Sequence, residues 1–348
     1  MRKKVYMAID AHARNCVLGS MSSRGEFDRS WRFVTCEREL VRHVEGVKAE
    51  RKLLAIEEGP LAYWIAQTIR PYLSDVFIAD PKRNPSISRN AMKGDKVDVQ
   101  QLCRLLRLGE LKRVYHPEDD RRAVFKAAVQ QYMDFRDQET VLKRKLKAKF
   151  RGWGVQGIEG TKVYNAKKRG EFIAQVRQDA VRNQLLRQYV LLDTALEMQQ
   201  RALGEAVDLA RGYPEIQQFK KIPGVGDVGA LIFDAYIQTP YRFTRKSALY
   251  RYCQLAVTDR SSDQKPLGFK RLDRAGNSEL KAMSYRAFVC AMRIRRTNEV
   301  RTFFEQSLSR TRNRTHARLN TQRKIISVMH GIWLKGEEYN PEHFFGSN

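Results

Sequence analysis

The sequence predicts an α/β domain at the N-terminus, followed by two mainly helical regions. Short apolar runs with strand character alternate with segments of helical spacing up to about residue 117. From residue 118 to 213 the chain is polar and rich in helical patterns, with few Gly or Pro outside residues 152–160. Residues 214–348 combine a glycine-containing turn, several helical segments and a polar loop. We therefore expect three domains, at 1–117, 118–213 and 214–348.

The N-terminal domain is predicted to contain five strands and three helices in the order β-β-β-α-β-α-β-α. The strand segments are 5–9, 17–21, 31–34, 53–56 and 76–79, and the helical segments are 37–47, 62–69 and one that opens near Asp95. Residues 22–25 supply turn chemistry between the second and third strands. Three strands joined by hairpins, followed by alternating strands and helices, is the arrangement of a ribonuclease-H-like fold.

Acidic residues lie at three places in this predicted fold. Asp10 ends the first strand, Glu57 and Glu58 follow the fourth, and Asp95 and Asp98 open the last helix. Because Asp95 and Asp98 are three residues apart, both point to one face of a helix. Two carboxylates that close repel each other unless a cation lies between them, and a divalent ion such as Mg²⁺ (or Mn²⁺) prefers oxygen ligands.

The spacing of the two aspartates also has a simpler explanation. An N-cap Asp and a first-turn Asp both favour the helix dipole, and a short Asp-x-x-Asp motif taken alone fits this explanation better. The other acidic residues favour a metal site over helix capping, because in a ribonuclease-H-like fold all of them converge and could hold two metal ions about 4 Å apart. Strand alternation points Glu57 and Glu58 to opposite faces, so only one of them can easily meet Asp10.

The composition indicates a polyanionic partner. The chain carries 65 Lys+Arg against 39 Asp+Glu, a net charge of +26 that is spread along its length. DNA or RNA bound with release of counterions is the simplest explanation, and a ribosomal-type or membrane-surface protein is the alternative. No apolar run approaches the roughly 20 residues of a membrane span, and the N-terminus lacks the apolar region of a signal peptide. The five cysteines and six histidines have no metal-ligand spacing, so we expect reduced thiols, no zinc site and a cytoplasmic protein.

Two long helical stretches, at about 121–150 and 168–210, predict an antiparallel helical arm. The second stretch has apolar residues at a spacing close to a heptad. A coiled coil through which the protein dimerises and an intramolecular helical hairpin are about equally compatible with this pattern. The first stretch ends in a lysine-rich run, 143–149, for which the high net charge favours phosphate contacts over a merely solvated face.

A short glycine motif at residues 222–226 is typical of helix-hairpin-helix chemistry. Gly224 and Gly226 would let backbone N–H groups approach a phosphate at the N-terminus of the apolar helix that follows. Non-sequence-specific DNA contact is the functional interpretation, and a tight turn between two packed helices is the structural alternative.

A polar loop is predicted around residues 258–277. It contains Ser261 and Ser262, and it is rich in cations, namely Lys265, Lys270, Arg271 and Arg274, which we expect to contact nucleic acid. A hydroxyl amid cations could act as a nucleophile towards phosphorus. Serines in loops are usually only turn residues, so the residues alone favour that simpler role.

Taken together, these motifs resemble the DEDD transposases and recombinases of the Piv invertase type, whose insertion-sequence members are guided by a bridge RNA. The resemblance is carried by residues 8–10, 56–59 with 63–64, 95–98, 222–226 and 262–276, which span most of the chain. It implies a RuvC-like catalytic domain, a helical coiled-coil arm and a C-terminal transposase domain with a catalytic serine. It also implies donor and target DNA as substrates, a guide RNA, a homodimer or homotetramer, and a location in the bacterial cytoplasm at the nucleoid.

The resemblance also assigns roles to individual residues. Asp10, Asp95 and Asp98 fall on metal ligands of the family, and Glu58 falls on the fourth when residues 63–64 are kept in register, whereas counting from Ile56 gives Glu57. Counting from either side places Ser262 on the catalytic serine.

Two departures from the family pattern affect the nucleophile. Residues 263–265 replace small residues of the family, and a slip of one position would make Ser261 the nucleophile. The implied reaction is attack of the serine on a phosphodiester, which gives a phosphoserine link and a free 3′-hydroxyl before religation. A metal-dependent nuclease or Holliday-junction resolvase that uses water, and a non-catalytic nucleic-acid-binding protein, are the alternatives.

Overall fold

The chain folds into two units, Met1–Glu118 and Asp119–Asn348. A computed structural model describes residues 2–80, 94–117, 120–262 and 265–346. Apart from Glu118, the arm at 118–213 and the region at 214–348, which the sequence predicts as separate domains, both fall within the second unit.

The first unit contains a five-stranded mixed sheet. Its strands are β1 (Arg2–Ala11), β2 (Asn15–Ser22), β3 (Phe27–Val34), β4 (Ala49–Glu57) and β5 (Asp75–Ala79). Their order in the sheet is β3-β2-β1-β4-β5. β2 is antiparallel to β1 and β3, whereas β4 is parallel to β1 and β5. The prediction of an α/β unit at the N-terminus is confirmed.

Helices cover both faces of this sheet. They are α1 (Glu37–Gly46), α2 (Ala62–Ile69) and α3 (Asp95–Leu108), and a 3₁₀ turn at Arg70–Tyr72 follows α2. Alternate residues of β1 belong to different cores, because successive side chains of a strand point to opposite faces. Met7 and Ile9 pack with α1 and α2, whereas Tyr6 and Ala8 pack with α3. β4 divides in the same way, with Ile56 on the side of α1 and α2.

The second unit is mostly helical, as predicted. Among the described residues its helices are α4 (Asp120–Gly152), α5 (Arg169–Ile173), α6 (Asp179–Ala210), α7 (Pro214–Lys220), α8 (Gly226–Ile237), α9 (Lys246–Tyr252), α10 (Ser278–Arg293), α11 (Glu299–Thr311) and α12 (Arg314–Lys335). Short 3₁₀ turns lie at Lys162–Tyr164, Pro240–Arg242 and Pro341–Phe344. Two antiparallel strands, β6 (Val257–Ser262) and β7 (Lys265–Leu272), form the remaining regular structure.

The arm is an intramolecular hairpin of α4 and α6, one of the two arrangements that the sequence left open. The end of α4 and the start of α6 share one apolar cluster, which contains Phe150 and Tyr189. The start of α4 and the end of α6 share another, which contains Phe125 and Ala206. The two helices therefore run antiparallel. A dimeric coiled coil stays a prediction.

The base of the arm is part of the main core of the second unit, which explains why the two form one unit. Phe125 and Ala206 belong to the same buried cluster as the apolar residues of α8. A buried ion pair reinforces this contact: Arg122 of α4 donates to Asp234 of α8 and, at 2.6 Å, to Glu215 of α7. The Arg122 guanidinium also lies 4.0 Å from the ring centre of Tyr213. Burial raises the pKa of Asp234 well above its usual range, although the charge of Arg122 opposes this shift.

The structure also shows the state of the cysteines and the character of the helices. All five cysteines are free thiols, as the sequence predicts. Within the described ranges, no helix combines the length and the apolar character that crossing a membrane requires.

Candidate functional site

The sheet of the first unit brings two carboxylates to the same face. Asp10 has the same parity in β1 as Tyr6 and Ala8, which pack with α3, so its side chain points to the α3 face. In β4, Ala55 belongs to that core, and Glu57 shares its parity. Because β1 and β4 are parallel and pair Ala8 with Ala55, both acidic side chains lie at the carboxyl ends of adjacent strands.

Helix α3 brings the other two aspartates to this edge. Its N-cap is Gly94, and no side chain caps it, so neither Asp95 nor Asp98 is the capping residue. The backbone N–H groups of Val97 and Asp98 donate to the Gly94 carbonyl at 2.8 and 3.1 Å. Burial of Val99 and the apolar residues that follow fixes α3 on the sheet, so its acidic first turn lies beside the end of β1. Both aspartates still favour the helix dipole, but the N-cap explanation for Asp95 is wrong.

Asp10, His12 and Asp95 can each offer one metal-ligand atom within a space of 4.8 Å. The imidazole Nε2 of His12 lies 3.2 Å from Oδ2 of Asp10. His12 is the first residue after β1, and this contact shows that its side chain lies on the same side as that of Asp10. The histidines have no ligand spacing among themselves, so the sequence did not predict His12, although its place two residues after Asp10, just beyond a strand, was the available signal. Arg32 donates to Asp95 at 3.4 Å, an exposed contact.

The pKa shifts at this site have a common cause. Burial raises the pKa of Asp10, the charge of His12 lowers it, and the negative charges of Asp95 and Asp98 raise it again. Burial also raises the pKa of Glu57, and the charges of Asp10 and Asp98 add to the shift. These carboxylates therefore lie close enough to repel one another. A divalent cation would relieve that repulsion, and the oxygen-rich donor set with one imidazole suits Mg²⁺ or Mn²⁺.

The two candidate glutamates have different surroundings. Glu57 interacts electrostatically with Asp10 and Asp98. Glu58 instead lies 2.6 Å from Nε2 of His116, whose ring stacks on Tyr63 with 6.1 Å between ring centres. The geometry therefore groups Glu57, the alternative of the sequence analysis, with the aspartates.

The predicted serine loop is a β-hairpin. Ser261 and Ser262 are the last two residues of β6, and Ser262 pairs with Lys265 at the start of β7. The expectation of a loop at these residues is therefore wrong: the backbone pairs despite the polar sequence. The side chains of residues 259–270 lie outside the described part of the structure, so the roles of Ser261, Ser262, Lys265 and Lys270 stay predictions. Arg271 and Arg274 are exposed.

The glycine turn before α8 packs against another helix. Gly224 has φ +87°, and a Cβ there would lie 2.1 Å from the Ala287 carbonyl oxygen and 2.6 Å from the Ala291 nitrogen, both in α10. Gly224 is therefore required by a close approach of two backbones, as in the tight-turn alternative. Gly226 opens α8 with φ +61°, is exposed, and has open space where a Cβ would be. A phosphate contact at Gly226 stays a prediction.

Comparison with known protein families gives a match to part of the second unit. Residues 216–305 match the model of the Transposase IS116/IS110/IS902 family. The matched segment runs from α7 into α11 and includes both the glycine turn and the β6–β7 hairpin. It supports a transposase or recombinase function, and with it DNA binding, for the second unit. No curated protein matches the chain.

The glycine turn yields a test of its structural role. We expect Gly224→Ala to lower the free energy of unfolding by about 3 kcal/mol or more, because the new methyl group meets two backbone atoms that cannot rotate away. Gly226→Ala meets no neighbour and should cost only about 1–2 kcal/mol for its left-handed backbone. Urea unfolding followed by circular dichroism compares the two, and equal losses would contradict the close-approach explanation.

Proposed function

We propose that this protein is a DNA transposase that cuts and rejoins strands at a divalent-metal centre formed by Asp10, Glu57, Asp95 and Asp98, with Ser262 as the nucleophile. The observation that carries the proposal is the convergence of these carboxylates, which are far apart in sequence, at one edge of the sheet. The transposase match in the second unit supports the same reaction class.

The topology of the first unit supports a ribonuclease-H-like, RuvC-like assignment. Three antiparallel strands are followed by two parallel ones in the order β3-β2-β1-β4-β5. The acids lie at the carboxyl ends of β1 and β4 and in the first turn of α3, which are the places where the family resemblance expects them. Ligand sites in open α/β sheets lie at the carboxyl ends of the strands.

Glu57 is the fourth carboxylate ligand in this proposal. Its carboxyl group faces Asp10 and Asp98, whereas the imidazole of His116 already binds Glu58. Glu58 and His116 then form a neighbouring polar pair at the end of β4, outside the metal centre. His12 adds one nitrogen donor beside Asp10. Imidazole suits first-row transition metals better than Mg²⁺, so His12 shifts the preference of the centre towards Mn²⁺.

The proposed reaction conserves the energy of the phosphodiester bond. When bound, the metal supplies charge neutralisation at the scissile phosphate and at the leaving oxygen. The Ser262 hydroxyl attacks phosphorus and loses its proton, and the bond from phosphorus to the 3′-oxygen breaks. The leaving oxygen takes up a proton and becomes a free 3′-hydroxyl, while the 5′ end stays on the serine. Attack of a 3′-hydroxyl from another strand reverses these steps and releases the serine.

The partners follow from the same assignment. Donor and target DNA are the substrates, and a guide RNA selects the sites by base pairing, so the protein mainly contacts backbone phosphates. The net charge of +26 supports binding to both nucleic acids. The family resemblance implies a homodimer or homotetramer in which the acidic residues of one copy meet Ser262 of another.

The two glutamates form a matched pair for testing the metal centre. We expect Glu57→Gln to weaken Mn²⁺ binding by at least about 10-fold, because it removes a ligand charge, and Glu58→Gln to leave binding within about twofold. Both variants lose one negative charge, so each controls for the other. Electron paramagnetic resonance of free Mn²⁺ during titration of the full-length protein measures the affinity. A larger loss in Glu58→Gln would assign the site to Glu58 instead.

His12 should set metal preference rather than metal binding as such. In His12→Ala we expect the Mn²⁺ affinity to fall by about 10-fold and the Mg²⁺ affinity, measured by competition, to change much less, because Mg²⁺ gains little from a nitrogen ligand. An equal loss for both ions would show that His12 acts only by orienting Asp10, to which it is hydrogen-bonded.

The adjacent serines give a matched pair for the nucleophile. Labelled DNA with element ends, co-purifying RNA and Mg²⁺ are incubated with the full-length protein, and denaturing gels show whether label becomes attached to protein. We expect attachment with wild type and Ser261→Ala, and none with Ser262→Ala, because Ser262 is the proposed attacking group; the reverse pattern would assign the nucleophile to Ser261.

The same gels distinguish the alternative functions. Cleavage without attachment, retained in Ser262→Ala, would indicate a nuclease or junction resolvase that uses water. Nucleic-acid binding without cleavage, unaffected by Asp95→Asn, would indicate a non-catalytic binding protein.

A further inference from the structure

A groove of about 870 Å³ lies beside the β6–β7 hairpin in the second unit. Its walls come from the base of the hairpin, from α10 and from the first half of α12. Leu255, Val257 and Leu319 give it an apolar floor. Arg323 is fixed at its side, because two of its guanidinium nitrogens donate to the Leu255 carbonyl at 2.9 and 2.7 Å.

The described residues that line the groove include several cations and no carboxylate. Arg271, Lys281, Arg318 and Arg323 line it, and among the described residues that do so none is acidic. Such an excess of positive charge is unfavourable for the free protein, because like charges on a concave surface repel one another. The apolar walls of the groove also focus the electric field of these charges. This arrangement suits a ligand that carries several negative charges in a row.

An exposed aromatic ring divides this groove from a second cavity. Tyr285 of α10 is 45% exposed, and the guanidinium of Arg318 lies 5.5 Å from the centre of its ring. Tyr285, Thr315 and Arg318 also line an adjoining cavity of about 400 Å³, to which Arg293 and Arg314 contribute two more cations. No acidic residue lines that cavity either, within the described ranges. The two cavities together form a basic path that passes over one aromatic ring.

We propose that this path binds a single-stranded segment of DNA, with a base stacked on Tyr285 and its phosphates on Lys281, Arg318 and Arg314. A basic groove interrupted by an aromatic ring is the arrangement by which proteins hold unpaired nucleic acid, because every base offers a π-face while the backbone follows the cations. A duplex keeps its base faces stacked inside and so cannot use Tyr285.

The position of the groove argues for DNA rather than RNA. Tyr285 and Lys281 belong to the segment that matches the transposase family, and the groove begins at the base of the hairpin that carries Ser262. This step depends on the proposed function: a strand that Ser262 attacks must unpair nearby before it is exchanged, and the groove would hold its unpaired end.

The test measures binding of a fluorescein-labelled oligothymidine to the full-length protein by anisotropy over a series of salt concentrations. Tyr285→Leu keeps an apolar side chain but removes the ring, so we expect its affinity to fall by about 5- to 100-fold. Lys281→Ala/Arg318→Ala should reduce the slope of log affinity against log salt by about 1.4, or about 0.7 for each lost phosphate contact. Arg187→Ala/Arg201→Ala removes the same charge from exposed positions on α6 and should leave the slope unchanged.

Two further arms identify the ligand. Binding of a DNA duplex should not depend on Tyr285, and an oligothymidine with 5-iodouracil should crosslink to the peptide that contains Tyr285. An oligouridine that shows this dependence while oligothymidine does not would overturn the proposal in favour of RNA. Wild-type affinity of Tyr285→Leu for oligothymidine would overturn it outright, provided circular dichroism shows the variant folded.

These measurements use no metal and no cleavage. A failure of the serine chemistry, seen on the denaturing gels, is thus distinguishable from a failure of the groove to bind DNA.

Discussion

The proposed metal centre depends on a buried sheet whose strands cannot change register. β1 and β4 are covered on both faces, and the pairing of Ala8 with Ala55 decides which of their side chains face α3. A shift of one residue would move every apolar side chain of a strand to the wrong core, so the burial energy of two cores holds the register. The apolar contacts on either side of the sheet thereby hold Asp10 and Glu57 at adjacent strand ends, although their negative charges repel each other.

The sequence predicted the α/β unit and the convergence of its acids because both follow from the order of short apolar runs. The choice between Glu57 and Glu58 could not be made in the same way. β4 is apolar on both faces. Strand alternation therefore shows that Glu57 and Glu58 point to opposite faces, but it does not show which of the two side chains faces α3. The structure answers this through Ala55. His12 was not predicted because the histidines have no metal-ligand spacing among themselves, whereas its partners Asp10 and Asp95 are brought to it by the fold.

The second unit was predicted less completely, for two reasons. A polar hairpin such as β6–β7 has little of the alternation that identifies a strand, so its pairing could not be seen in the residues. The helical arm was correctly predicted, yet a heptad-like pattern does not identify the helix that packs against its apolar face. Its base proved to share a core with α8, a contact between residues about 100 positions apart that no local pattern encodes. Local sequence could not explain Gly224 either, because it is the backbone of α10 that leaves no space for a side chain at this position.

The buried contact of Arg122 with Asp234 has a mechanical consequence. Helix α4 contains 33 residues in one uninterrupted run, which makes it about 50 Å long. The first turn of α4 is fixed in the same buried core that supports the β6–β7 hairpin and the basic groove. Because α4 is continuous from the far end of the arm into this core, the arm cannot bend at its base without breaking the Arg122 contacts or exposing Phe125.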